Sequence, residues 1–208
     1  MHTYPPNNRE LRLILASTSR YRASLLKRLG LNFECIAPKT DESPFENETP
    51  KALAERLAIA KASAVAQQHN GLVIGSDQVA AVVSDDDKPL LLGKPGTRDN
   101  AIAQLTLCND RTVTFYTAVA LVDSQHLRVS SHIEIVNVDF RRLNAQQIAA
   151  YVDKEQPFDC AGSFKSEGLG VRLFKRIQSN DPNCIIGLPM IGLVDLLLER
   201  GIDPLYSA

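Results

Sequence analysis

Tryptophan is absent from this 208-residue sequence, and histidine and cysteine each occur only four times. The histidines are His2, His69, His126 and His132. They fall in a predicted tail, at a helix end and at two strand or hairpin positions, so they do not cluster. The sequence therefore supports neither a Ser-His-Asp triad nor a histidine-rich metal site.

The cysteines are equally dispersed along the chain. They are Cys35, Cys108, Cys160 and Cys184. No Cys-x-x-Cys pair occurs and no histidine cluster accompanies them, so the spacing predicts neither a zinc site nor a disulfide framework. We expect buried free thiols in a reducing compartment.

An excess of either charge and a long apolar run are also missing. Lysine and arginine together number 23, against 24 aspartates and glutamates. This balance argues against polymeric nucleic acid and anionic membranes as partners, and leaves a small charged ligand open. No run approaches the roughly 20 apolar residues of a membrane span, and the first residues lack the core of a signal peptide. We expect a soluble cytoplasmic protein with a flexible arm over residues 1–10.

A strand, a short loop and a helix are predicted between Leu11 and Leu29. Residues 13–16 are continuously apolar, as in a buried strand, and leucines follow at helical spacing. Ser17 and Ser19 stand where the helix begins, so hydroxyls and free N–H groups meet Arg22 at the positive end of the helix dipole. That arrangement suits a phosphate. The alternative is that Ser19 is only an N-cap and Arg22 a surface residue.

The remaining chain alternates between strand and helix patterns, without an internal repeat or a linker. Strands are predicted over residues 32–36, 72–83, 90–92, 112–122 and 128–141, and helices over 51–68, 98–107, 145–152 and 187–198. The last two strands are patterned as an antiparallel pair. The closing helix is predicted to pack through Leu188, Ile191, Val194, Leu197 and Leu198. We therefore predict a single α/β domain over residues 11–208.

Polar side chains at strand ends and in loops supply candidate chemistry. The candidate cations and donors are Ser17, Arg22, Lys61, Lys94 and Lys165, and the candidate carboxylates are Glu42, Asp77 and Glu167. The strand that begins at residue 72 ends in a polar cluster that contains Asp77 and then resumes at Ala80. Such strand ends face the ligand crevice in open α/β sheets, where Asp77 could be a cap, a structural acceptor or a catalytic group. Lys61 lies on or beside an apolar helix stripe, from which it either reaches solvent or points at a ligand. Together the groups suit a nucleotide polyphosphate with Mg²⁺ or Mn²⁺.

Several short motifs, in this order, resemble the Maf family of nucleotide pyrophosphatases over residues 11–205. They are residues 16–19 (Ala-Ser-Thr-Ser) with Arg22, 41–42 (Asp-Glu), 57–61, 75–77 (Gly-Ser-Asp), 93–95 (Gly-Lys-Pro) and 162–168. Within the family, residues 77–79, 113–117 and 160–168 resemble the branch that acts on 7-methyl-GTP. The resemblance implies an elongated mixed β-sheet flanked by helices, with two lobes around a deep cleft, similar to the inosine triphosphate pyrophosphatases.

The resemblance also implies an activity and its site residues. The reaction is hydrolysis of 7-methyl-GTP to the monophosphate and diphosphate, with Mg²⁺, Mn²⁺ or Co²⁺, and a homodimer is compatible with the family. Asp77 aligns with the proton acceptor. Tyr21, Gln78 and Glu167 align with the positions that set base specificity. We assign Ser17, Arg22, Lys61, Lys94 and Lys165 to the phosphates, and Glu42 and Asp77 to the metal.

Two departures from the branch pattern concern the first specificity position. Arg20 and Tyr21 stand where many members have proline and tryptophan, and Ala23 replaces a common second arginine. Tyrosine keeps an aromatic face for a cationic base. Two alternatives stay open at this point. One is the sister activity on dTTP and UTP, whose branch has arginine and glutamine at the first and last specificity positions. The other is a non-catalytic nucleotide-binding regulator of cell division.

Overall fold

The computed structural model describes residues 12–84, 86–126 and 128–206, and the predicted arm over residues 1–10 lies outside these ranges. The strands are β1 (Leu13–Leu15), β2 (Glu34–Cys35), β3 (Leu72–Val83), β4 (Pro89–Leu92), β5 (Thr112–Asp123), β6 (Val129–Phe140) and β7 (Phe174–Gln178). The helices are α1 (Arg20–Lys27), α2 (Pro50–Ala66), α3 (Arg98–Cys108), α4 (Ala145–Glu155) and α5 (Met190–Leu198). Short 3₁₀ turns cover Ala161–Ser163, Leu169–Leu173 and Cys184–Ile186.

The seven strands form one mixed sheet in the order β2-β1-β3-β5-β6-β7, with β4 paired to β3. The strands β1 and β2, and β1 and β3, run parallel. All other pairs are antiparallel, including the predicted pair β5 and β6. The predicted mixed sheet is confirmed. The strand β7 was not predicted, because most of its five residues are exposed and its sequence lacks the pattern of a buried strand.

A gap along one edge of β3 creates the main depression in the molecule. The strand β1 pairs with residues 72–74 of β3, and β4 pairs with residues 80–83. On the other edge, β5 pairs with residues 72–82 without interruption. Within the described residues, the segment 75–79 is therefore held by β5 alone. Its other edge faces the space between β1 and β4, and Asp77 stands at its centre.

Apolar clusters on either side of this gap build the two lobes. One cluster joins α1 and α5 to the β1 end of the sheet, and its fully buried members include Leu15, Leu26 and Leu193. The other joins α3 and α4 to the β4 end, and contains Phe115 and Phe140. Helix α2 packs across the middle of β3 and β5 through a third cluster. The two-lobed arrangement around a cleft agrees with the prediction.

The closing helix differs from the predicted one in its start and in its packing face. It begins at Met190 rather than at position 187, because Gly187 has a φ of +121°, which is not helical. The side chains of Leu193 and Leu196 are buried, whereas Ile191 is 54% exposed and Leu198 is 40% exposed. The prediction that Ile191 and Leu198 lie on the packing face was wrong. Almost every residue of this helix is apolar, so its sequence pattern does not show which face is buried.

All four cysteines are free, as predicted, but only two of them are buried. These are Cys108 and Cys184, while Cys35 is exposed and Cys160 is partly exposed. Burial raises the pKa of the Cys108 thiol to about 12, which keeps it protonated and unreactive. Among the described residues, no helix combines the length and the apolar character that crossing a bilayer requires.

Candidate active site

A cleft of about 860 Å³ lies between the lobes, over the gap beside β3. Its volume falls in the range of roughly 300–1,000 Å³ that is typical of small-molecule sites. Nine of the ten predicted site residues line it: Ser17, Tyr21, Arg22, Glu42, Lys61, Asp77, Gln78, Lys94 and Glu167. Loops that are distant in sequence thus meet at one place, as the prediction required. The tenth residue, Lys165, is not among the lining residues.

The most buried charges of the cleft belong to Lys61 and Asp77. The Lys61 Nζ atom lies 2.6 Å from Asp77 Oδ1 and 2.7 Å from Glu42 Oε1. The side chains of Lys61 and Asp77 are only 7% and 9% exposed, whereas that of Glu42 is 60% exposed. The ammonium therefore bridges two carboxylates, one from the strand and one from the acidic loop. Of the two interpretations left open for Lys61, the side chain follows the one that points into the cleft.

Close packing of α2 on β3 explains how Lys61 reaches Asp77. A side chain at Gly75 would clash with the backbone carbonyl of Ala58 and with the backbone nitrogen of Ala62. Glycine at this position lets the helix lie directly on the strand. Lys61 directly precedes Ala62, which is part of this contact. Its ammonium therefore reaches Asp77, two positions after Gly75 on the strand. The Gly-Ser-Asp motif thus combines a packing residue with the carboxylate.

The first turn of α1 carries a partly buried cation, Arg22. Its Nε atom donates to the carbonyl of Gly187 at 2.8 Å. Burial lowers the pKa of Arg22, while the negative charges of Asp77 and Glu42 oppose this shift. No hydrogen bond or ion pair engages the terminal Nη atoms within the described part of the chain. An anion in the cleft is the natural partner for these atoms.

The helix start at α1 serves two roles that the sequence presented as alternatives. The Ser19 hydroxyl accepts from the backbone N–H of Arg22 at 3.4 Å, and is therefore an N-cap. The Ser17 hydroxyl accepts from the backbone N–H of Ser19 at 3.1 Å and lines the cleft. Capping and a position beside the ligand space occur together here, because Ser17 and Ser19 both line the cleft at the helix start.

Other residues that line the cleft are more exposed than Lys61 and Asp77. The Tyr21 hydroxyl accepts from an Nη atom of Arg20 at 2.9 Å, and the guanidinium carbon of Arg20 lies 4.9 Å from the ring centroid. Glu167 is exposed, and its carboxylate accepts from the Ser166 hydroxyl at 3.2 Å. Lys94 is exposed on the rigid turn after β4. These side chains surround the entrance and do not form the floor.

Lys165 holds the end of α4 and does not enter the cleft. Its ammonium donates to the backbone carbonyl of Glu155 at 2.6 Å, and its backbone N–H donates to the Tyr151 hydroxyl at 3.1 Å. A cation is favourable at this end of a helix, where unpaired carbonyls concentrate negative charge. The loop that carries Glu167 is thereby tied to α4. The phosphate contact assigned to Lys165 from sequence has no counterpart in this geometry.

The acidic loop before α2 is held by Arg56, a residue that sequence reasoning missed. Its guanidinium donates to Glu48 at 2.6 and 2.7 Å and to the carbonyl of Ser43 at 3.0 Å. It also lies 3.9 Å from the ring centroid of Phe45. Because Ser43 follows Glu42 directly, this contact helps to fix the loop that brings Glu42 to Lys61. No sequence motif marks this role.

Gln78, the strand residue after Asp77, is also held in place by hydrogen bonds. The Nε2 atom of Gln78 donates to the carbonyl of Cys184 at 2.7 Å and to the Thr117 hydroxyl at 3.0 Å. The Ser76 hydroxyl donates to the carbonyl of Gly187 at 3.1 Å. The 3₁₀ turn between these carbonyls is thus attached to β3 on both sides of Asp77. Thr117, buried on β5, was not singled out from the sequence.

Comparison with known proteins identifies related sequences and a related fold. The family model described as Maf-like protein matches residues 12–200. A protein named 7-methyl-GTP pyrophosphatase from Idiomarina loihiensis is 49% identical, over 94% of this chain and 98% of its own length. Another of that name, from Pseudoalteromonas atlantica, is 47% identical over 93% of this chain and 97% of its own.

A solved structure shares the architecture at low sequence identity. A HAM1 protein from Coxiella burnetii superposes with a TM-score of 0.54 and 17% identity, covering 91% of this chain and 99% of that protein. The match supports the fold alone. The expected likeness to the inosine triphosphate pyrophosphatase fold is confirmed.

Proposed function

The chain belongs to the Maf-like protein family, and from that premise we propose that it hydrolyses a nucleoside triphosphate to the monophosphate and diphosphate. The preferred substrate is 7-methyl-GTP, which is the substrate that the names of its relatives state. The reaction removes a modified nucleotide from the pool. A single observation in the structure carries the proposal: a buried ammonium joins Asp77 to Glu42 near Arg22, whose Nη atoms no described residue engages.

Cations that line the cleft can contact a triphosphate, although carboxylates line it as well. Arg22 offers a guanidinium fork that suits phosphate oxygens, and its partial burial strengthens the attraction to an anion. Lys61 and Lys94 line the same space from the floor and from the rim. Positive groups placed where charge develops on the bridging and leaving oxygens are the main contribution that a protein makes to phosphoryl chemistry. We assign these three residues, with Ser17, to the phosphates.

Asp77 is the group that we assign to the attacking water. Its carboxylate orients the water and accepts its proton as the oxygen bonds to the α-phosphorus. The bond from the α-phosphorus to the bridging oxygen breaks, and diphosphate leaves with the electron pair. Lys61 holds one oxygen of Asp77 by its 2.6 Å contact, which leaves the second oxygen to the water.

The carboxylate pair also fits a divalent cation, which the family resemblance implies. Oxygens of Glu42 and Asp77 lie within 2.7 Å of the Lys61 ammonium, so a divalent cation would bind beside it, through the carboxylate oxygens that Lys61 leaves free. Among the described residues, no group of three or more metal-ligating side chains occurs. This set suits Mg²⁺ or Mn²⁺, which commonly bind one or two carboxylates together with substrate phosphates. When bound, the cation supplies positive charge to the phosphate oxygens.

Groups at the rim are suited to a cationic purine. Guanine methylated at ring nitrogen 7 carries a positive charge, and the Tyr21 ring offers it an aromatic face worth about 0.5–2 kcal/mol. The Glu167 carboxylate accepts from the imino and amino groups of guanine and favours a positive base over a neutral one. Arg20 is exposed beside Tyr21, and its positive charge weakens the preference for a positively charged base.

The test is a screen of nucleotides with purified protein, in which released diphosphate is measured. The substrates are 7-methyl-GTP, GTP, dTTP and UTP, each with Mg²⁺, Mn²⁺ or Co²⁺ and with excess chelator. We expect the highest kcat/KM on 7-methyl-GTP and loss of activity with chelator. Faster turnover of dTTP or UTP identifies the pyrimidine activity instead. Nucleotide binding without diphosphate release at any metal identifies a non-catalytic regulator.

We also propose a cytoplasmic location, which the free thiols and a nucleotide substrate favour. Assembly as a homodimer stays a prediction from the family resemblance. Light scattering on the purified protein measures the mass in solution and tests it directly.

A further inference from the structure

We infer that Thr117 is a positioning residue that, together with the Cys184 carbonyl, holds the Gln78 amide so that its oxygen, not its nitrogen, faces the nucleotide. The inference rests on the proposed function, since it names how one side of that site recognises the substrate. It assigns to Gln78 the part of a hydrogen-bond acceptor. The matching ligand group is therefore a donor, either a base N–H or a ribose O–H.

The positions of the two side chains follow from the sheet. Gln78 on β3 and Thr117 on β5 are direct cross-strand partners in the antiparallel register. The Thr117 side chain is fully buried, whereas Gln78 is partly exposed and lines the cleft. The threonine thus lies behind the glutamine, on the side away from the ligand space.

The hydrogen bonds determine which way the amide faces. The Thr117 hydroxyl donates its single proton to the carbonyl of Cys184 at 3.1 Å, so its lone pairs remain for Gln78. The amide end that faces Thr117 also lies 2.7 Å from the same Cys184 carbonyl. An amide oxygen at that place would oppose a carbonyl oxygen at hydrogen-bond distance. Nitrogen is therefore the atom that faces inward, and the Oε1 atom is turned the other way.

Within the described residues, no donor bonds to Gln78 Oε1. A polar atom at the edge of a cleft, with its amide locked by two bonds on the opposite side, is preorganised for a ligand donor. The Glu167 carboxylate across the cleft is an acceptor too. Two acceptors facing the base region suit guanine, whose N1 and N2 atoms both carry protons.

A double-mutant cycle tests the positioning role. Thr117→Val keeps the shape of the side chain and removes the hydroxyl, and Gln78→Met removes the amide. We expect Thr117→Val to raise KM for 7-methyl-GTP about 5- to 10-fold with kcat within about 2-fold, which is the scale of one hydrogen bond. In the Gln78→Met background the same change is expected to add less than about 2-fold, because no amide remains to be oriented.

Two further variants separate this role from a general effect on the strand. Thr117→Ser restores the hydroxyl and is expected to return KM to near the wild-type value. Thr114→Val removes a hydroxyl from the same strand, one that contacts Asn137 and does not line the cleft, and is expected to change neither constant. An equal cost of Thr117→Val with and without Gln78, or a fall in kcat at constant KM, overturns the inference.

A readout without catalysis distinguishes failure of this inference from failure of the proposed function. In ¹⁵N-labelled protein, the side-chain amide protons of Gln78 are expected to exchange about tenfold more slowly than those of the exposed Gln67, because two acceptors hold them. Thr117→Val is expected to speed up that exchange. If the protection is present but no nucleotide is hydrolysed, the proposed function fails and the amide orientation stands. If exchange is equally fast at both glutamines, the orientation is wrong whatever the activity.

Discussion

The two ends of the cleft are built in different ways. The reaction end, made of Lys61, Asp77, Glu42 and Arg22, stands mainly on α1, α2 and β3, and Lys61 and Asp77 are almost fully buried. The base end, made of Tyr21 and Glu167, depends on the first turn of α1 and on the irregular segment after α4. Glu167 is exposed there. The central ion pair of Lys61 and Asp77 is therefore buried at one end, and the carboxylate at the other end is solvated.

This difference separates stability from selectivity. At the reaction end, removing one charge leaves its partner buried without compensation, so a variant there is expected to affect folding as well as turnover. At the base end, the Glu167 carboxylate is solvated, so it contributes little to the free energy of unfolding. Substitutions at the base end should therefore change which nucleotide is used and leave the free energy of unfolding almost unchanged.

The largest expected effect follows replacement of the catalytic carboxylate. Asp77→Asn keeps the shape and the hydrogen bond to Lys61 but cannot accept a proton from water. We expect kcat for 7-methyl-GTP to fall by at least about 100-fold, the usual contribution of a general base. Diphosphate release under saturating substrate and metal measures it.

The matched control for that variant is Asp139→Asn. Asp139 is a strand carboxylate with an arginine partner, Arg176 at 2.9 Å, and it does not line the cleft. Its replacement is expected to leave kcat unchanged. A near-normal kcat for Asp77→Asn would remove Asp77 from the mechanism and leave it as a structural partner of Lys61.

Lys61→Met gives the largest expected effect on stability. The substitution preserves the apolar stem and removes the ammonium, so Asp77 is left buried without its cation. Breaking a buried pair in this way costs about 3–5 kcal/mol. Chemical denaturation at neutral pH measures the change in the free energy of unfolding. The control is Lys175→Met, which removes an exposed ammonium 2.6 Å from Asp110 and is expected to have no measurable effect. Equal losses for both variants would contradict the contrast between buried and solvated charge.

A smaller effect, on selectivity alone, is expected at the base end. Glu167→Gln removes the charge that favours a cationic base and keeps the shape of the side chain. We expect the preference for 7-methyl-GTP over GTP to fall about tenfold, on the scale of one hydrogen bond to a charged group. The ratio of kcat/KM values measures it, and Tyr21→Arg together with Glu167→Gln is expected to move activity toward dTTP and UTP. A loss of stability in Glu167→Gln would show that the base end is not independent of the fold.

Much of the reaction end could be predicted from sequence because regular elements carry it. The apolar run of β3 pointed to Asp77, although the predicted strand end at this position is the interior of one unbroken strand. The spacing of α2 placed Lys61 on its buried stripe. Local rules also offered Ser19 as an N-cap, and its hydroxyl accepts from the backbone of the first turn. These inferences needed only periodicity and capping chemistry, which act over a few residues.

The contacts that the sequence did not reveal join distant segments of the chain. Lys165 looked like a phosphate ligand because it stands in a glycine-rich loop, but its ammonium reaches the end of α4. Arg56 and Thr117 act through the partners Ser43 and Cys184, which no spacing rule brings together. A cation in a loop can bind a ligand or a helix carbonyl equally well, and only the tertiary packing decides between them.

The smallest effect is expected in the one irregular part of the reaction end, the loop that carries Glu42. Hydrogen bonds from Arg56 hold the pKa of Glu48 at about 2, against an ordinary 4.5. Because the folded state has the lower pKa, this pair stabilises the protein fully above pH 4.5, and the stabilisation is lost as the pH falls toward 2. The difference in unfolding free energy between wild type and Glu48→Gln should therefore be constant from pH 7 to about 5 and shrink below that. Glu46→Gln removes an exposed carboxylate of the same loop and serves as the control for the change in net charge. A difference for Glu48→Gln that persists unchanged near pH 2 would mean that the loop is held by Phe45 and the Ser43 carbonyl, and not by the carboxylate.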